Sequence, residues 1–386
     1  MDAVGIVLYE KIRLETGAGM KVQKDSGRRK KIAIILLSHE TNDCIYQYNI
    51  AYTLRKAGYQ CDLYSACDNH LEKADEYTFA VDGATISISQ RAKKIQELLK
   101  GKQYSIAICG TPLAVSFAHQ YARKVVYFVS EWYPSKKNLR GTPRLLRPLK
   151  FVILLLASFW AGIRADAFFY GESYKIKPFH FFFPWKPSLF VSYYPRLDMF
   201  PRVPVKRKNT PFTFFYAGPL TAEKGWQRVK KLVIAIANKY PQRQWRLLVV
   251  SDRKENVPIP ANLNMSFVSY QSYPAFCNML YDTDMCLDLR DDDFENTRCL
   301  PVKVFHYIAV PSFVIYSDLK AIHADVPQLA NRIPLVQPED IDTQVAIVSE
   351  LIDSPNRNIN ALREEFEKRY NWELIENSFL QFTDAL

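Results

Sequence analysis

The chain has 386 residues, 48% of them hydrophobic and 24% charged, and it carries a formal net charge of +11. The length is sufficient for two domains, and the composition is that of a globular protein, which excludes a disordered or low-complexity chain. The net positive charge favours a polyanionic partner and leaves three classes of partner open: nucleic acid, an anionic membrane face, or phosphorylated substrates.

The seven cysteines are scattered, and no spacing among them suits a zinc site or a disulfide framework. Because most of them lie in apolar, strand-like runs, we predict reduced, buried thiols in a cytoplasmic protein. Residues 1–30 lack the apolar core of a signal peptide and are predicted to form an N-terminal extension. The cysteines are Cys44, Cys61, Cys67, Cys109, Cys277, Cys286 and Cys299.

Residues 31–195 alternate short apolar runs with helical patterns, which predicts a doubly wound α/β domain with a parallel sheet. One helix is expected over 42–58, ending at Gly58. The predicted strands of this domain are 32–37, 61–66, 105–109, 125–129 and 165–171.

A short apolar segment follows the first four predicted strands. Residues 151–163 (FVILLLASFWAGI) are uncharged, and the run is shorter than the roughly 20 apolar residues that a spanning helix needs. The basic residues of 136–150 precede it, and no acidic residue lies among them. This pattern suits docking of 136–163 on an anionic leaflet. It equally suits a core helix that is preceded by solvent-exposed basic residues. The aromatic cluster 179–185 is open to the same two interpretations and to stacking on sugars.

Residues 196–208 are rich in proline and basic residues and are the predicted linker. The strand and helix alternation then restarts over 209–368, which predicts a second Rossmann-like domain, and 369–386 reads as an amphipathic helix. The predicted strands are 212–217, 246–250, 265–270, 285–289 and 312–317, and the predicted helices are 226–238, 274–281, 301–309, 339–353 and 356–369.

The most informative segment is 212–228, where an apolar strand is followed by Gly218 and by a helix that opens near Gly225. Free backbone N–H groups and the helix dipole at such a turn attract anions, and Lys224 adds a cation. The segment therefore favours a phosphate-binding turn, although an ordinary βα turn with a solvated lysine has the same pattern.

These residues resemble the retaining nucleotide-sugar glycosyltransferases of the GT-B fold, the large "glycosyltransferase group 1" family. The segment 216–225 resembles the strand–GRL–EKG signature of that family, and 288–318 resembles its segment ending in P-x-K-x-F-E-Y-M-A-x-G-x-P-V-I and V-I-A-S-D. Residues 338–340 and 370–372 resemble two later motifs, and 46–65 and 163–173 agree more loosely in the first half. The resemblance covers nearly the whole chain, with its specific motifs in the second half.

The resemblance implies two Rossmann-like domains facing across a cleft, with the donor bound by the second domain and the 369–386 helix crossing back to the first. Family analogy further implies retention of anomeric configuration, with no metal and no other cofactor. The predicted catalytic residues are Lys224, which the resemblance implies, and Glu131, which follows from its position after a predicted strand. The implied donor-binding residues are Gly218, Pro219, Lys224, Asn296, Arg298, Lys303 and His306.

The chain departs from the family at several of these positions. Two glutamates normally lie eight positions apart around the start of the 301–309 helix, and Arg298 and His306 stand there instead. The arginine that usually follows the turn glycine is Pro219, and the histidine expected after the fourth strand is Ser130. Either the donor is unusual, with Arg298 and Lys303 supplying the missing charge and His306 bonding a hydroxyl, or the chain transfers sugar poorly.

The acceptor side has two candidates that follow predicted strands, Glu131 and His39. Glu131 is suited to position or polarise an acceptor hydroxyl, and its alternative is a polar loop residue. The adjacent carboxylates 291–293 suggest a divalent metal, but a solvated acidic loop is favoured because this fold family neutralises the diphosphate with cations. Nucleic acid is not favoured, since the basic residues are not interleaved with aromatic residues on one sheet face.

The sequence therefore predicts a glycosyltransferase that moves a sugar from a nucleoside-diphosphate donor to a glycan or lipid-linked acceptor in cell-surface polysaccharide synthesis. We expect it to act in the cytoplasm, peripherally on the inner face of the membrane. The alternative is a catalytically degenerate protein of the same fold that serves as a glycan- or membrane-associated binding subunit.

Overall fold

A computed structural model describes residues 30–38, 43–66, 76–81, 86–131, 133–202, 211–354 and 360–386. Several sequence predictions lie wholly or partly outside these ranges: the extension 1–30 apart from Lys30, the acceptor candidate His39, the first residue of the helix 42–58, the thiol of Cys67, residues 203–208 of the linker, and residues 356–359 of the helix 356–369. The described residues form two separate parallel sheets, one in each half of the chain.

The first sheet has seven described strands in the order β3-β2-β1-β4-β5-β6-β7, so the chain winds outward from β1 in both directions. The side chains of β1, β4 and β5 are almost entirely buried, as expected where helices cover both faces of a parallel sheet. The strands are β1 Lys31–Leu36, β2 Gln60–Ser65, β3 Thr78–Ala80, β4 Tyr104–Cys109, β5 Ala122–Val129, β6 Ala167–Tyr170 and β7 Ser188–Phe190.

The helices of this half connect those strands. The predicted helix 42–58 is divided: its first part is π-helical and its second part is a short α-helix. The helices are α1 (π-helical) Cys44–Ala51, α2 Tyr52–Lys56, α3 Ile88–Leu99, α4 Pro112–Ala118, α5 Lys136–Leu139, α6 Arg147–Arg164 and α7 Ser173–Phe182, with a 3₁₀ turn Arg144–Leu146 before α6.

The second sheet repeats the winding with six described strands in the order β10-β9-β8-β11-β12-β13. β10 begins two residues earlier than predicted, because Leu263 pairs with Trp245 at the start of β9. The short edge strands β3, β7 and β13 were not predicted, since two or three residues carry too little periodicity. The strands are β8 Phe212–Ala217, β9 Trp245–Val250, β10 Leu263–Val268, β11 Met285–Asp288, β12 Phe313–Ser317 and β13 Leu335–Val336.

The helices of the second half follow the predicted order closely. Pro301, predicted as a first helical residue, instead has an extended backbone and precedes the helix as its cap. The helices are α8 Trp226–Lys239, α9 Tyr273–Leu280, α10 Phe294–Thr297, α11 Val302–Ile308, α12 Lys320–Asp325, α13 Pro327–Ala330, α14 Ile341–Asp353, α15 Ala361–Arg369 and α16 Glu373–Ala385.

The C-terminal helix α16 lies against the first sheet. Phe379 packs on Phe169 of β6 with ring centroids 5.5 Å apart, and the Trp372 indole donates to the Thr53 hydroxyl at 2.8 Å. The described part of the predicted linker also packs: Arg196 and Phe200 are buried, and Arg196 forms ion pairs with α16. These contacts join the two halves through apolar and charged groups.

Candidate donor site

The candidate site lies where the strand order of the second sheet reverses. β8 and β11 are neighbours at its centre, and the chain leaves them toward opposite sides. In open α/β sheets, ligands bind in the crevice outside the carboxyl ends of the strands at such a switch point. Gly218 follows β8 there, and Arg290 lies two residues beyond β11.

Two glycines shape the turn between β8 and α8. Gly218 has φ +142° and Gly225, the cap of α8, has φ +79°, and L side chains rarely adopt either value. A β-carbon at Gly225 would overlap with the Leu289 backbone carbonyl, so α8 begins in close contact with the end of β11. Glycine at 225 therefore allows both the turn and this approach.

We expect Gly225→Ala to lower the free energy of unfolding by at least about 2 kcal/mol, because backbone strain and steric overlap add together. Gly101→Ala is the matched control: Gly101 has φ +75°, and a β-carbon there meets nothing within 4 Å. The control should cost only about 1 kcal/mol. Urea unfolding of both variants measures the difference, and equal losses would contradict the close approach of α8 to β11.

Lys303 projects from α11 toward the β8 turn. Its Nζ donates to the Ala217 carbonyl at 2.5 Å and lies 2.8 Å from Asp288 Oδ2. A β-carbon on Gly218 would be 3.5 Å from the same nitrogen. Burial lowers the pKa of Lys303, the cations of Arg290 and Lys224 lower it further, and Asp288 opposes the shift. Two neighbouring cations thus act on Lys303 at this turn.

A buried charge network supports Lys303, and the sequence analysis missed it. Arg290 donates to both oxygens of Asp288 at 2.9 and 2.7 Å, and the Tyr316 hydroxyl donates to Asp288 at 2.7 Å. Burial would raise the pKa of Asp288, but Arg290 and Lys303 together hold it well below its usual value. One carboxylate is thus balanced by two cations, which leaves an excess positive charge. The position of Arg290 just after a central strand was the signal available in the sequence.

Lys224 lies on the other side of the turn. Its partly exposed ammonium contacts Asn296 Oδ1 at 3.3 Å and Glu223 Oε1 at 3.4 Å. Asn296 is itself held by Asp293, to which its side-chain amide donates at 3.1 Å. The structure therefore brings together four predicted donor residues, Gly218, Lys224, Asn296 and Lys303.

Pro219 and Arg298 have different surroundings. Pro219 is exposed in the turn, and its carbonyl accepts the Tyr216 hydroxyl at 2.8 Å. The Arg298 guanidinium lies over the Phe294 ring, 4.0 Å from its centroid, and donates to the Phe294 carbonyl at 3.2 Å. Arg298 lines a surface hollow with Lys320 and Asp318. In this conformation its charge faces that hollow and contacts Phe294.

His306 is a buried core residue, which does not fit the predicted bond to a donor hydroxyl. Nδ1 lies 3.0 Å from the Val302 carbonyl, which can only accept, so Nδ1 carries the hydrogen. Nε2 therefore accepts from the Tyr273 hydroxyl at 3.0 Å. Burial lowers the pKa of His306 to about 4. The ring is consequently neutral near pH 7 and fixes α11 to α9.

This pKa predicts a pH-dependent stability. The unfolded histidine titrates near 6.5, so below that pH the unfolded chain binds a proton that the folded chain excludes. The contribution of His306 is therefore complete above about pH 6.5 and falls, by up to about 3 kcal/mol, as the pH drops toward 4. Urea unfolding at several pH values should show this loss in the parent chain and in His119→Gln but not in His306→Gln. A parallel pH dependence of parent and His306→Gln would contradict it.

The carboxyl end of β5 brings the first half against the donor turn. Lys136 contacts the second half twice: its backbone N–H donates to Glu295 at 2.6 Å, and its Nζ lies 3.2 Å from Asp293. Arg140 forms an ion pair with Glu223, next to Lys224. Glu131 is partly buried at the start of this segment, 3.5 Å from the Tyr133 hydroxyl. Lys136 and Arg140 thus hold the first half against the donor turn, and Glu131 precedes them in the chain.

A second bridge between the two halves, also missed in the sequence, joins the end of β6 to the residues just before α11. Glu172 is fully buried after β6, and its carboxylate accepts the Leu300 backbone N–H at 2.5 Å, just before α11. Lys175 forms an ion pair with Glu172 and donates to the Ser130 carbonyl at 2.6 Å. A carboxylate of the first half therefore accepts a backbone N–H group two residues before α11 begins.

Two of the three carboxylates 291–293 are engaged in structural contacts. Asp291 pairs with Arg228 at 2.5 Å, and Asp293 caps α10 by accepting the N–H groups of Glu295 and Asn296. Among the described residues, no group of three or more His, Cys, Asp or Glu residues is arranged to hold a metal ion. Asp291 and Asp293 therefore have structural roles and are not simply solvated, and the absence of a metal requirement remains a prediction.

Comparison with solved structures decides the architecture. Sucrose-phosphate synthase from Thermosynechococcus elongatus superposes with a TM-score of 0.65 at 14% identity, over 92% of this chain and 99% of that one. The E. coli trehalose-6-phosphate structure that holds UDP-2-fluoro glucose gives 0.61 at 11% identity, over 92% and 99%. The chain has the GT-B fold. The lipopolysaccharide outer core galactosyltransferase WaaB is a further GT-B match, with a TM-score of 0.57 at 15% identity, over 92% and 100%.

No protein-family model and no curated protein matches the chain. At identities of 10–15%, the structural matches show the GT-B fold and nothing finer. In this fold the candidate site lies at the carboxyl end of the second sheet, where Lys136 and Arg140 of the first half contact it. What the site does must be argued from its own residues.

Proposed function

We propose that the chain is a glycosyltransferase that moves a sugar from a nucleoside-diphosphate donor to a glycan or lipid-linked acceptor in cell-surface polysaccharide synthesis. The observation that carries the proposal is the excess positive charge beside the Gly218 turn, where Lys303 and Lys224 flank the switch point of the second sheet. A diphosphate fits such a cradle of cations and backbone groups.

In this reaction the bond between the anomeric carbon of the sugar and the donor phosphate oxygen breaks. Its electron pair stays on the departing diphosphate, while an acceptor oxygen bonds to the anomeric carbon and loses its proton. Lys303 is already held in place by Asp288 and Ala217, so its charge stabilises the developing diphosphate without reorganisation. Glu131, just after β5 in the first half of the chain, is the group that we propose to orient the acceptor hydroxyl.

The proposal assigns Gly218, Pro219, Lys224, Asn296 and Lys303 to donor binding. Arg298 would bind the donor only if its guanidinium moved away from the Phe294 ring. His306 contributes only by holding α11 in place. A resident metal or other cofactor is not part of the proposal, and the cytoplasmic location stays a prediction.

A panel of UDP-, GDP- and dTDP-sugars tests the proposal by calorimetry and by nucleotide release. We expect heat of binding and slow nucleotide release with one nucleotide class. The absence of heat with every donor would favour the alternative, a degenerate GT-B protein that acts as a glycan- or membrane-associated binding subunit.

A further inference from the structure

Helix α6 has an inverted pattern of burial. Its buried residues are small: Ser158, Ala161 and Gly162 face the domain, and a side chain at Gly162 would overlap with the Phe183 ring. The large apolar side chains point outward, with Leu156 60% and Trp160 53% exposed. A core helix does the reverse, because burying large apolar side chains is what stabilises it. The structure therefore does not support the interpretation of residues 151–163 as a plain core helix.

A second element extends the same surface. Phe181 and Trp185, at and just after the end of α7, are 78% and 73% exposed. The rings of Phe159 in α6 and Phe182 in α7 are 5.4 Å apart, which makes the two elements one continuous patch. We call it the apolar face; its exposed large residues are Leu145, Leu146, Leu149, Phe151, Val152, Ile153, Leu155, Leu156, Phe159, Trp160, Ile163, Phe181, Phe182 and Trp185. A patch of this size on a globular chain marks an interaction site.

The charge around the apolar face is one-sided. Arg144, Arg147 and Lys150 lie at the start of α6, and no acidic residue occurs between Glu131 and Asp166. At the other end, Lys186 donates to the carbonyls of Gly162 and Ile163 at 2.7 and 2.6 Å, so it closes the end of α6. Basic residues beside a large apolar face with exposed tryptophans match the interface of an anionic bilayer.

The topology excludes a membrane-spanning role for α6. Among the described residues it is the one helix long and apolar enough to cross a bilayer. It is, however, the crossover between β5 and β6, which are adjacent parallel strands of one sheet. Spanning would place the two ends of that sheet on opposite sides of the membrane. The helix therefore has to lie along the surface.

We propose that the apolar face docks the protein on an anionic lipid bilayer, with α6 lying in one leaflet and the end of α7 inserting its aromatic side chains. The segment 136–150 that leads into α6 also contacts Glu223 and Asp293 of the donor side. Docking through α6 thus places the cleft beside the bilayer. The proposal does not depend on sugar transfer, so its test stands apart from that of the proposed function.

Vesicle flotation with the full chain tests it, using phosphatidylcholine vesicles with and without 30% phosphatidylglycerol. We expect binding at least about tenfold stronger to the anionic vesicles, and a loss of about tenfold or more in Arg144→Gln/Arg147→Gln. Leu156→Gln/Trp185→Gln, one residue from each element, should abolish binding. Leu374→Gln is the matched control, because Leu374 is an exposed apolar residue of α16, outside the patch, and should bind as the parent does.

Brominated lipids provide an independent readout that reports position. Trp226, Trp245 and Trp372 are buried, whereas Trp160 and Trp185 are exposed. Trp132 lies outside the described residues and is common to both proteins, so quenching by anionic vesicles brominated near the headgroup should decrease from the parent chain to Trp160→Phe/Trp185→Phe. Three results would overturn the proposal: no binding to either vesicle, equal binding to both, or a stable dimer by light scattering that Leu156→Gln/Trp185→Gln converts to monomer while vesicles remain unbound.

Discussion

Lys303→Met should lower kcat/KM for the nucleotide-sugar donor by about 10²–10³-fold, because it removes a preorganised cation from the place where diphosphate charge develops. The fold should survive, since Asp288 keeps its two bonds from Arg290 and the bond from Tyr316. Initial rates of nucleotide release measure the effect.

Two controls separate this effect from a general loss of charge or stability. Lys231→Met removes an exposed lysine from α8 and should leave kcat/KM unchanged. Thermal unfolding of Lys303→Met should stay close to that of the parent chain. A normal kcat/KM in a folded Lys303→Met variant would remove Lys303 from the donor site.

Arg290→Leu should lower the free energy of unfolding by about 3–5 kcal/mol, since the buried carboxylate of Asp288 loses its bidentate partner. Lys303 remains within 2.8 Å, but a single ammonium cannot replace two parallel hydrogen bonds from a planar guanidinium. Urea unfolding near pH 7 measures the loss.

The double variant Asp288→Asn/Arg290→Leu provides the control. Because it removes the charge that Arg290 was neutralising, it should recover a large part of the lost stability. Equal stability of the single and double variants would show that the two side chains are not coupled as the structure has them.

The β8 turn and its lysine could be predicted because everything that places them is local. An apolar strand, a glycine and a helix start occur within 212–228, and strand order then fixes where Gly218 must lie. The second lysine, Lys303, was assigned to the donor site through the resemblance to the GT-B family. Fold and turn therefore come from short-range patterns.

The roles of His306 and Arg290 depend on distant residues. His306 is buried because Tyr273 and Phe200, 33 and 106 positions away, close around its ring, and no spacing in α11 indicates them. Arg290 turns inward to Asp288 and Tyr316, which only the packing of β11 against β12 brings together. The role of Glu172 also depends on a distant residue, because its partner Leu300 is 128 positions away.

The apolar segment 151–163 is another case in which hydrophobic periodicity could not predict the structure. Its run of large apolar residues is nearly continuous, so the sequence leaves a core helix and an interfacial helix equally open. The small residues at 158, 161 and 162 determine which face of α6 is buried, because they let α6 approach α4 and Phe183 closely and leave the larger side chains exposed.

The central claim is that Lys224 and Lys303 hold a donor diphosphate, and nucleotide release by Lys224→Ala tests it most directly. With the donor that the parent chain uses, we expect Lys224→Ala to fall by about tenfold or more in kcat/KM while Lys231→Ala matches the parent. Parent-like turnover in a folded Lys224→Ala variant would contradict the claim.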